Sequence, residues 1–412
     1  MVLNYIWVAF FLIAFVVALY KLIFLGDTEI FKHIIDGTFV SAQGAFELSL
    51  KLTGAMTLWL GIMNVGEKGG AIRILSRIIG PFFNRLFPQI PKDHPAHGQI
   101  ILNFSANMLG LGNAATPMGL KAMQSMQDLN EDKDTASNSQ IMFLVINTAG
   151  FALLPISIMT IRASMKAGNP TDVFIPILLA TLFSTFAGVL MVSIRQKINL
   201  LDKVLIAWTL GIAAVVTGIV MAVKNSSQQQ ITTASDLVSG VLLFGIITGF
   251  FSLAVYKRIN VYDTFIEGAK EGFMTVIKLI PYLVGMIVAI GVFRSAGCMD
   301  LLTQGIAHLF MALGCNTDFV AAIPTALMRP MSSSGATSVT IDLINTHGVD
   351  SFSARLSSII QGSADTTFYI VALYFGSVGI KKTRYAITYG LLTDLAGFMA
   401  AIFMAYLFFG KK

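Results

Sequence analysis

Charge is what this sequence has least of. Asp, Glu, Lys and Arg make up 12% of its 412 residues, against about 25% in a soluble domain, which excludes a water-soluble globule and places the chain in lipid. Cysteine is almost absent: Cys298 and Cys315 stand alone, without CxxC or Cys/His spacing, so neither a structural metal nor a redox pair is expected. The five histidines, His33, His94, His97, His308 and His347, pair at no metal-ligand spacing and read as interfacial side chains. No phosphate-binding loop or nucleophile elbow occurs, and Asp342, Asp365 and Asp394, the carboxylates in or near apolar runs, form no catalytic pair motif. An enzyme is therefore not expected, nor a resident cofactor. A basic domain is missing as well. The net charge of +6 comes from Lys and Arg in short loops between apolar runs, where the positive-inside bias puts them, and this excludes nucleic acid as a partner.

Apolar residues are abundant instead, at 55%. Runs near the roughly 20 residues that span a hydrocarbon core recur from Ile6 through Phe24 to Leu391 through Phe409. The first run lacks a basic leader region and a small-residue cleavage site and is expected to be a retained helix. The fold class is all-α and polytopic, with the lipid bilayer as its first partner.

Many transporters are built from two related halves, and an ordered set of matches points to the same plan here. Thr38-Phe39 and Lys51-Leu52 recur as Thr264-Phe265 and Lys278-Leu279, each set ahead of a glycine, Gly70 or Gly297. Asn113 to Pro117 matches Ser334 to Ser338, and Asn147 to Gly150 stands where Gln361 to Ala364 stands later. Each half reads as a long span, an amphipathic segment, a second span, an interfacial helix, a polar Gly-rich hairpin, an interrupted span and a closing span. Residues 1–200 form the first repeat, 201–235 a linker span and loop, and 236–412 the second. An odd linker span inverts the second copy. Lys68, Arg73, Arg77, Arg85 and Lys92 put one side in the cytoplasm, whereas Cys298 to Asp318 carries Asp300 and Asp318 but no Lys or Arg and faces outward. About nine spans and two re-entrant hairpins result.

The candidate site lies where these segments are too polar for lipid. Asn103 to Pro117 is rich in Asn and Gly, and non-helical backbone survives at membrane depth only when buried in protein or lining a cavity. A hairpin tip is expected near Gly110 to Thr116, with a second arm beginning near Thr116-Pro117. In the second half Met328 to Ser338 repeats the plan with hydroxyls. Arg329 reads either as a contact for an anionic ligand or as a pin pairing with Asp342 or with tip carbonyls, because a charge inside a membrane segment is costly. Breaks at Asn147 to Gly150 with Pro155, and at Gln361 to Thr367, fall at corresponding places in the halves, which points to a midplane transport site. Asp365 could hold a coupling Na+ or H+, or pair with Arg329. The expected site is Asn107, Asn113, Thr116, Asn147 and Thr148 from one half, with Arg329, Ser333, Ser334, Gly335, Thr337, Gln361, Ser363, Asp365 and Thr366 from the other.

The same residues carry a resemblance. Pro91 to Pro95, Ala106 to Pro117 and Gly119 to Met123 resemble the spore maturation protein A family. Leu327 to Pro330 with Ser334 to Ala336, Gln361 to Tyr369, and Tyr374 to Gly379 resemble spore maturation protein B. The whole chain is similar to a fusion of the two. Both belong to the nucleoside-recognition, or gate, domain group, which resembles concentrative nucleoside transporters and the core of the ferrous-iron permease. The resemblance implies inverted repeats with two re-entrant hairpins and leaves the solute open.

Together these readings lead to a secondary transporter of the bacterial inner membrane that moves a small polar solute, expected to be anionic. A neutral nucleoside and a non-transporting scaffold of envelope or spore maturation are the alternatives, and a homo-oligomer is open. Without an ATP-binding motif, uphill movement would draw on an ion gradient or a partner.

Overall fold

A computed structural model of the chain describes residues 2–224, 226, 228–312, 314 and 316–410, so Cys315 and the basic C-terminal pair Lys411 and Lys412 lie outside the described residues. Among the described residues the backbone forms α-helices and no strand. The first half runs α1 (Val2–Leu25), α2 (Ile30–Gly69), α3 (Ala71–Leu86), α4 (Pro95–Met108), α5 (Gly112–Asp128), α6 (Asn138–Ala149), α7 (Ile156–Ser164) and α8 (Phe174–Gln196). After α9 (Lys203–Lys224) come α10 (Gln228–Tyr256), α11 (Val261–Ser295), α12 (Cys298–Ala312), α13 (Ile323–Met328), α14 (Ser333–His347), α15 (Phe352–Gly362), α16 (Thr367–Ser377) and α17 (Ala386–Phe409).

Among the described residues seven helices, α1, α2, α8, α9, α10, α11 and α17, are long and apolar enough to cross a membrane. The two other spans expected from the sequence are each divided, into α6 with α7 and α15 with α16, all of 12 residues or fewer. A second difference concerns the amphipathic segment and the span that follows it. They are one helix, α2, of 40 residues, and α11 likewise runs unbroken for 35. At 1.5 Å per residue α2 is about 60 Å long, twice a hydrocarbon core. The glycines along it do not stop it because none takes a positive φ before Gly70, where φ reaches +91° and the Gly70 N–H turns back to the carbonyls of Glu67 and Gly66.

These two long helices pack against each other in opposite directions, Gly37 lying by Ser295, Gly268 by Leu60 and Asn64, and Gly272 by Met56. Small residues let the backbones approach, which is how helices associate where lipid removes the hydrophobic drive between them. A Cβ on Gly268 would stand 2.5 Å from the Leu60 carbonyl oxygen and one on Gly272 2.7 Å from that of Met56. α10 lies on α2 and α1 on α11. Lys257, just beyond α10, puts its Nζ against Gly70, and Lys21 of α1 puts its Nζ against Gly297, where φ is +84°. A cation over the last carbonyls of a helix is favourable there.

The remaining helices form the block that carries the site. α17 packs on α8, α6 and α15, and α6 is buried from Ser139 through Ala149. Two loop pairs tie its ends. The 129–137 loop meets the 378–385 loop, where Asp134 O accepts from the N–H groups of Lys381 and Lys382 at 2.9 Å and Ala136 N–H donates to Lys382 O at 3.0 Å. The 165–173 loop meets 348–351 through a charged cluster. Fully buried Arg162 reaches Asp172 at 2.9 Å and Asp350 at 3.1 Å, and Arg355 reaches Asp172 at 2.7 Å. Burial raises the Asp172 carboxyl above the usual carboxylate range against the pull of Arg162 and Arg355.

Candidate functional site: two helix breaks that cross

α6 stops because Gly150 turns left-handed, at φ +63°, and Pro155 delays the resumption until Ile156. α15 stops at Gly362, and helix resumes at Thr367. The interruptions touch backbone to backbone. The Asp365 N–H donates to the Thr148 carbonyl at 2.8 Å, and a Cβ on Gly150 would lie 2.8 Å from Asp365 N and 2.9 Å from the Ala364 carbonyl carbon. Only glycine satisfies both the dihedral and the approach.

Each break is held by the turn of a neighbouring helical hairpin. The α4–α5 turn offers the Met108 carbonyl to Leu153 N–H at 2.7 Å, and the α13–α14 turn offers the Pro330 carbonyl to Phe368 N–H at 3.0 Å. The α4–α5 turn corrects one expectation. The second arm starts at Gly112, four residues before Thr116, and Pro117 sits inside α5. The positive φ of Gly110, +73°, makes the turn, so proline is not needed to start the helix.

Several polar side chains of the two breaks are partnered by protein groups. Asn107 donates to Asn147 Oδ1 at 2.9 Å, and Asn147 donates to the Phe143 carbonyl at 2.9 Å. Gln361 donates to Thr337 Oγ1 at 2.7 Å. Buried Arg329 donates through Nε to the Ala364 carbonyl at 2.8 Å and through a second nitrogen to the same oxygen, and its third nitrogen reaches Ser333 Oγ at 2.9 Å. Asp365 is 3.9 Å from the guanidinium, and its carboxylate caps its neighbour's amide, Thr366 N–H, at 2.7 Å. Of the partners weighed for Arg329, Asp342 is not one; the carbonyl it holds is that of Ala364, in the second break and not at a hairpin tip, and Asp365 stands at 3.9 Å. Asp342 pairs with both Nε and another nitrogen of Arg294. Nine residues into α14 it lies about 14 Å along the axis from that helix's start, beyond Arg329's reach.

The structure brings most of the expected residues into one connected set. Asn107, Asn147, Thr148, Asp365, Arg329 and Ser333 form a chain of contacts, with Gln361 and Thr337 beside it. Ser334, Gly335 and Ser363 serve local backbone. Ser334 Oγ lies 3.2 Å from Ser332 Oγ, Gly335 N–H donates to that same cap, and Ser363 donates to its preceding turn. Thr366 is buried with its hydroxyl unpartnered. Thr116 is half-buried on α5, and the Asn113 side chain lies outside the described residues.

Other members escape sequence reading. Asn103, fully buried, bridges the α5 carbonyl of Ala115 at 2.8 Å and Tyr374 Oη of α16 at 3.3 Å. Thr367, at the start of α16, donates to Asp394 Oδ2 at 2.5 Å. The bonds to Tyr374 and Asp394 join residues more than 25 positions apart, and only the presence of an amide or a carboxylate in an apolar run signals them.

Comparison with known proteins fits this geometry. The model of the family described as Gate, nucleoside recognition, matches residues 49–165 and 276–381, over half the chain and including both hairpin turns and both breaks. Spore maturation protein B of Bacillus subtilis is 45% identical over 175 residues, 42% of this chain and 92% of that protein. Spore maturation protein A of the same organism is 38% identical over 187 residues, 45% of this chain and 92% of the relative. An all-helical, multi-pass membrane protein whose two helix breaks cross at Gly150 and Asp365, the chain belongs to the Gate, nucleoside-recognition, family.

Proposed function

We propose that the chain is a transporter of the bacterial inner membrane that passes a small polar solute through the contact between its two helix breaks. The observation that carries this reading is the backbone crossing at Thr148, Gly150 and Asp365. Interrupted helices are tolerated in a membrane only where protein or a cavity satisfies the freed groups, and paired interruptions mark transport sites. Inverted repeats with re-entrant hairpins are part of the same proposal. Eight helices precede and eight follow α9, α2 and α11 run antiparallel and each lead into a left-handed glycine, and the turn-to-break bonds of Met108 and Pro330 occupy equivalent places.

For the solute, Arg329 gives three of its five N–H groups to Ala364 and Ser333, which commits it to the fold and weakens the case for the anionic group foreseen from its charge. The amides of Asn107, Asn147 and Gln361 with the Thr337 hydroxyl suit a neutral solute with several hydrogen-bonding groups, such as a nucleoside, the class in the family's description. These bonds would open to receive it. The bonds these side chains already make to one another favour a second reading, a scaffold in spore or envelope maturation that keeps the fold without transport.

A thermal-shift panel of nucleosides, amino acids, dicarboxylates and sodium on purified protein separates the two. A ligand at about 100 times its Kd adds about 2.7 kcal/mol of stability. A nucleoside shift abolished by Asn107→Ala or Gln361→Ala supports transport, and no shift with any solute sinks it.

A further inference from the structure

Asp394 sits in the middle of α17, 1% exposed, with one oxygen bound by Thr367 and the other buried without a hydrogen-bond partner. It is no isolated carboxylate. Gly390, Asp394 and Gly397 fall at i, i+4 and i+7 on one face of α17, and that face is seated on both breaks. A Cβ on Gly390 would lie 2.9 Å from Thr367 Cγ2 and 3.7 Å from Thr148 Cγ2, and one on Gly397 3.1 Å from the Ser363 carbonyl oxygen. Among the described residues the helices packed on α17 bring no cation to Asp394. α6 has no ionisable side chain, and α16 has only Tyr369 and Tyr374. The charges of α8 and α15 stand near helix ends at Arg195 and Arg355, the α9 backbone begins at Lys203 and ends at Lys224, and α10 carries Asp236 and Tyr256. The charged groups acting on Asp394 are Arg329, whose donors are held by Ala364 and Ser333, and Asp365. Asp365, half exposed, is the carboxylate nearest the guanidinium at 3.9 Å, whereas among the described residues no cation lies within 4 Å of buried Asp394, and an uncompensated charge at membrane depth is costly.

We propose that Asp394 is a proton-binding site, loaded while the breaks are closed on each other and emptied when they part. On opening, the carboxyl O–H bond breaks, its electron pair stays on Asp394 and the proton passes to an entering water; closing reverses the transfer. Coupling of this proton to solute movement rests on the transport reading above, but the binding itself does not.

Infrared difference spectroscopy of the full chain in lipid nanodiscs tests it without any solute. The wild type is expected to show, near neutral pH, the carbonyl stretch of an un-ionised carboxylic acid that moves in heavy water. The band is retained in Asp365→Asn and lost in Asp394→Asn. If Asp394→Asn does not fold, Thr367→Val serves in its place, because removing the bonded hydroxyl displaces the band in frequency. A band that persists in Asp394→Asn, follows Asp365 or ignores Thr367→Val overturns the assignment. So does the absence of any such band together with a sodium-dependent thermal stabilisation lost in Asp394→Asn, which would make the site a sodium site. Failure of the solute panel leaves the band untouched, so the two readings fail separately.

Discussion

Arg329 and Gly150 show how single residues hold the crossing together. Arg329 gives two bonds to one carbonyl and a third to Ser333, a fork that lysine, with one ammonium, does not reproduce. Arg329→Ala leaves the Ala364 carbonyl without its donors and Asp365 without its nearest cation, and is expected to lose about 1–3 kcal/mol, as when a buried acceptor is left unsatisfied. Arg329→Lys recovers less than half of that in a denaturant or thermal melt, and full recovery would show that charge alone matters. Gly150→Ala adds about 1–2 kcal/mol of left-handed strain to a Cβ at 2.8 Å from Asp365 N, and is expected to lower thermal stability and abolish ligand shifts together. Normal ligand shifts in that variant would separate the crossing from binding. At this scale much was legible. Asn107, Asn147, Arg329 and Gln361 stand out as polar residues in apolar runs, and the structure joins them. The bond from Arg329 to a backbone carbonyl was one of several readings, because a carbonyl leaves no mark in a sequence.

At the scale of the element, the α2–α11 pair depends on glycines that meet backbone. Gly268→Ala and Gly272→Ala each place a Cβ within 2.7 Å of a carbonyl oxygen, so the helices must separate. Each is expected to destabilise the detergent-solubilised protein by about 1–3 kcal/mol, as for other overpacked contacts, and so to lower its melting temperature. Gly245→Ala on α10 meets nothing within 4 Å and is the control, neutral or stabilising by up to about 1 kcal/mol through helix propensity. Equal effects at the three positions would mean that propensity, not packing, governs these glycines. The sequence marked both the helices and their end glycines. It did not show that the amphipathic segment joins the span into one 40-residue helix, because continuity is settled by packing on α11 and α10 and not by local propensity.

Taken whole, the helices before and after α9 are packed into one another. α17 packs on α6 and α8, α16 on α5, and α11 on α2, and the charged end cluster joins Arg162 and Asp172 to Asp350 and Arg355. A chain split between α9 and α10 is expected to yield halves that co-purify when made together and are degraded or aggregated when made alone, since each would present its break to lipid. A first half that alone is monodisperse and melts cooperatively would refute this interlock. Arg162→Ala and Asp350→Ala, combined in a double-mutant cycle on the melt, should couple by about 1–3 kcal/mol, because the groups share one network. The sequence by itself determined the solvent, the helical class, the order of the elements and the places where helices must stop, because apolar run length, glycine and proline act locally. Only the tertiary structure decided which stops meet, that Arg329 holds Ala364 and not Asp342, and that Asp394 lies buried beside Thr367. Those pairings join residues tens to hundreds of positions apart, and they follow from how long helices pack, which no local pattern encodes.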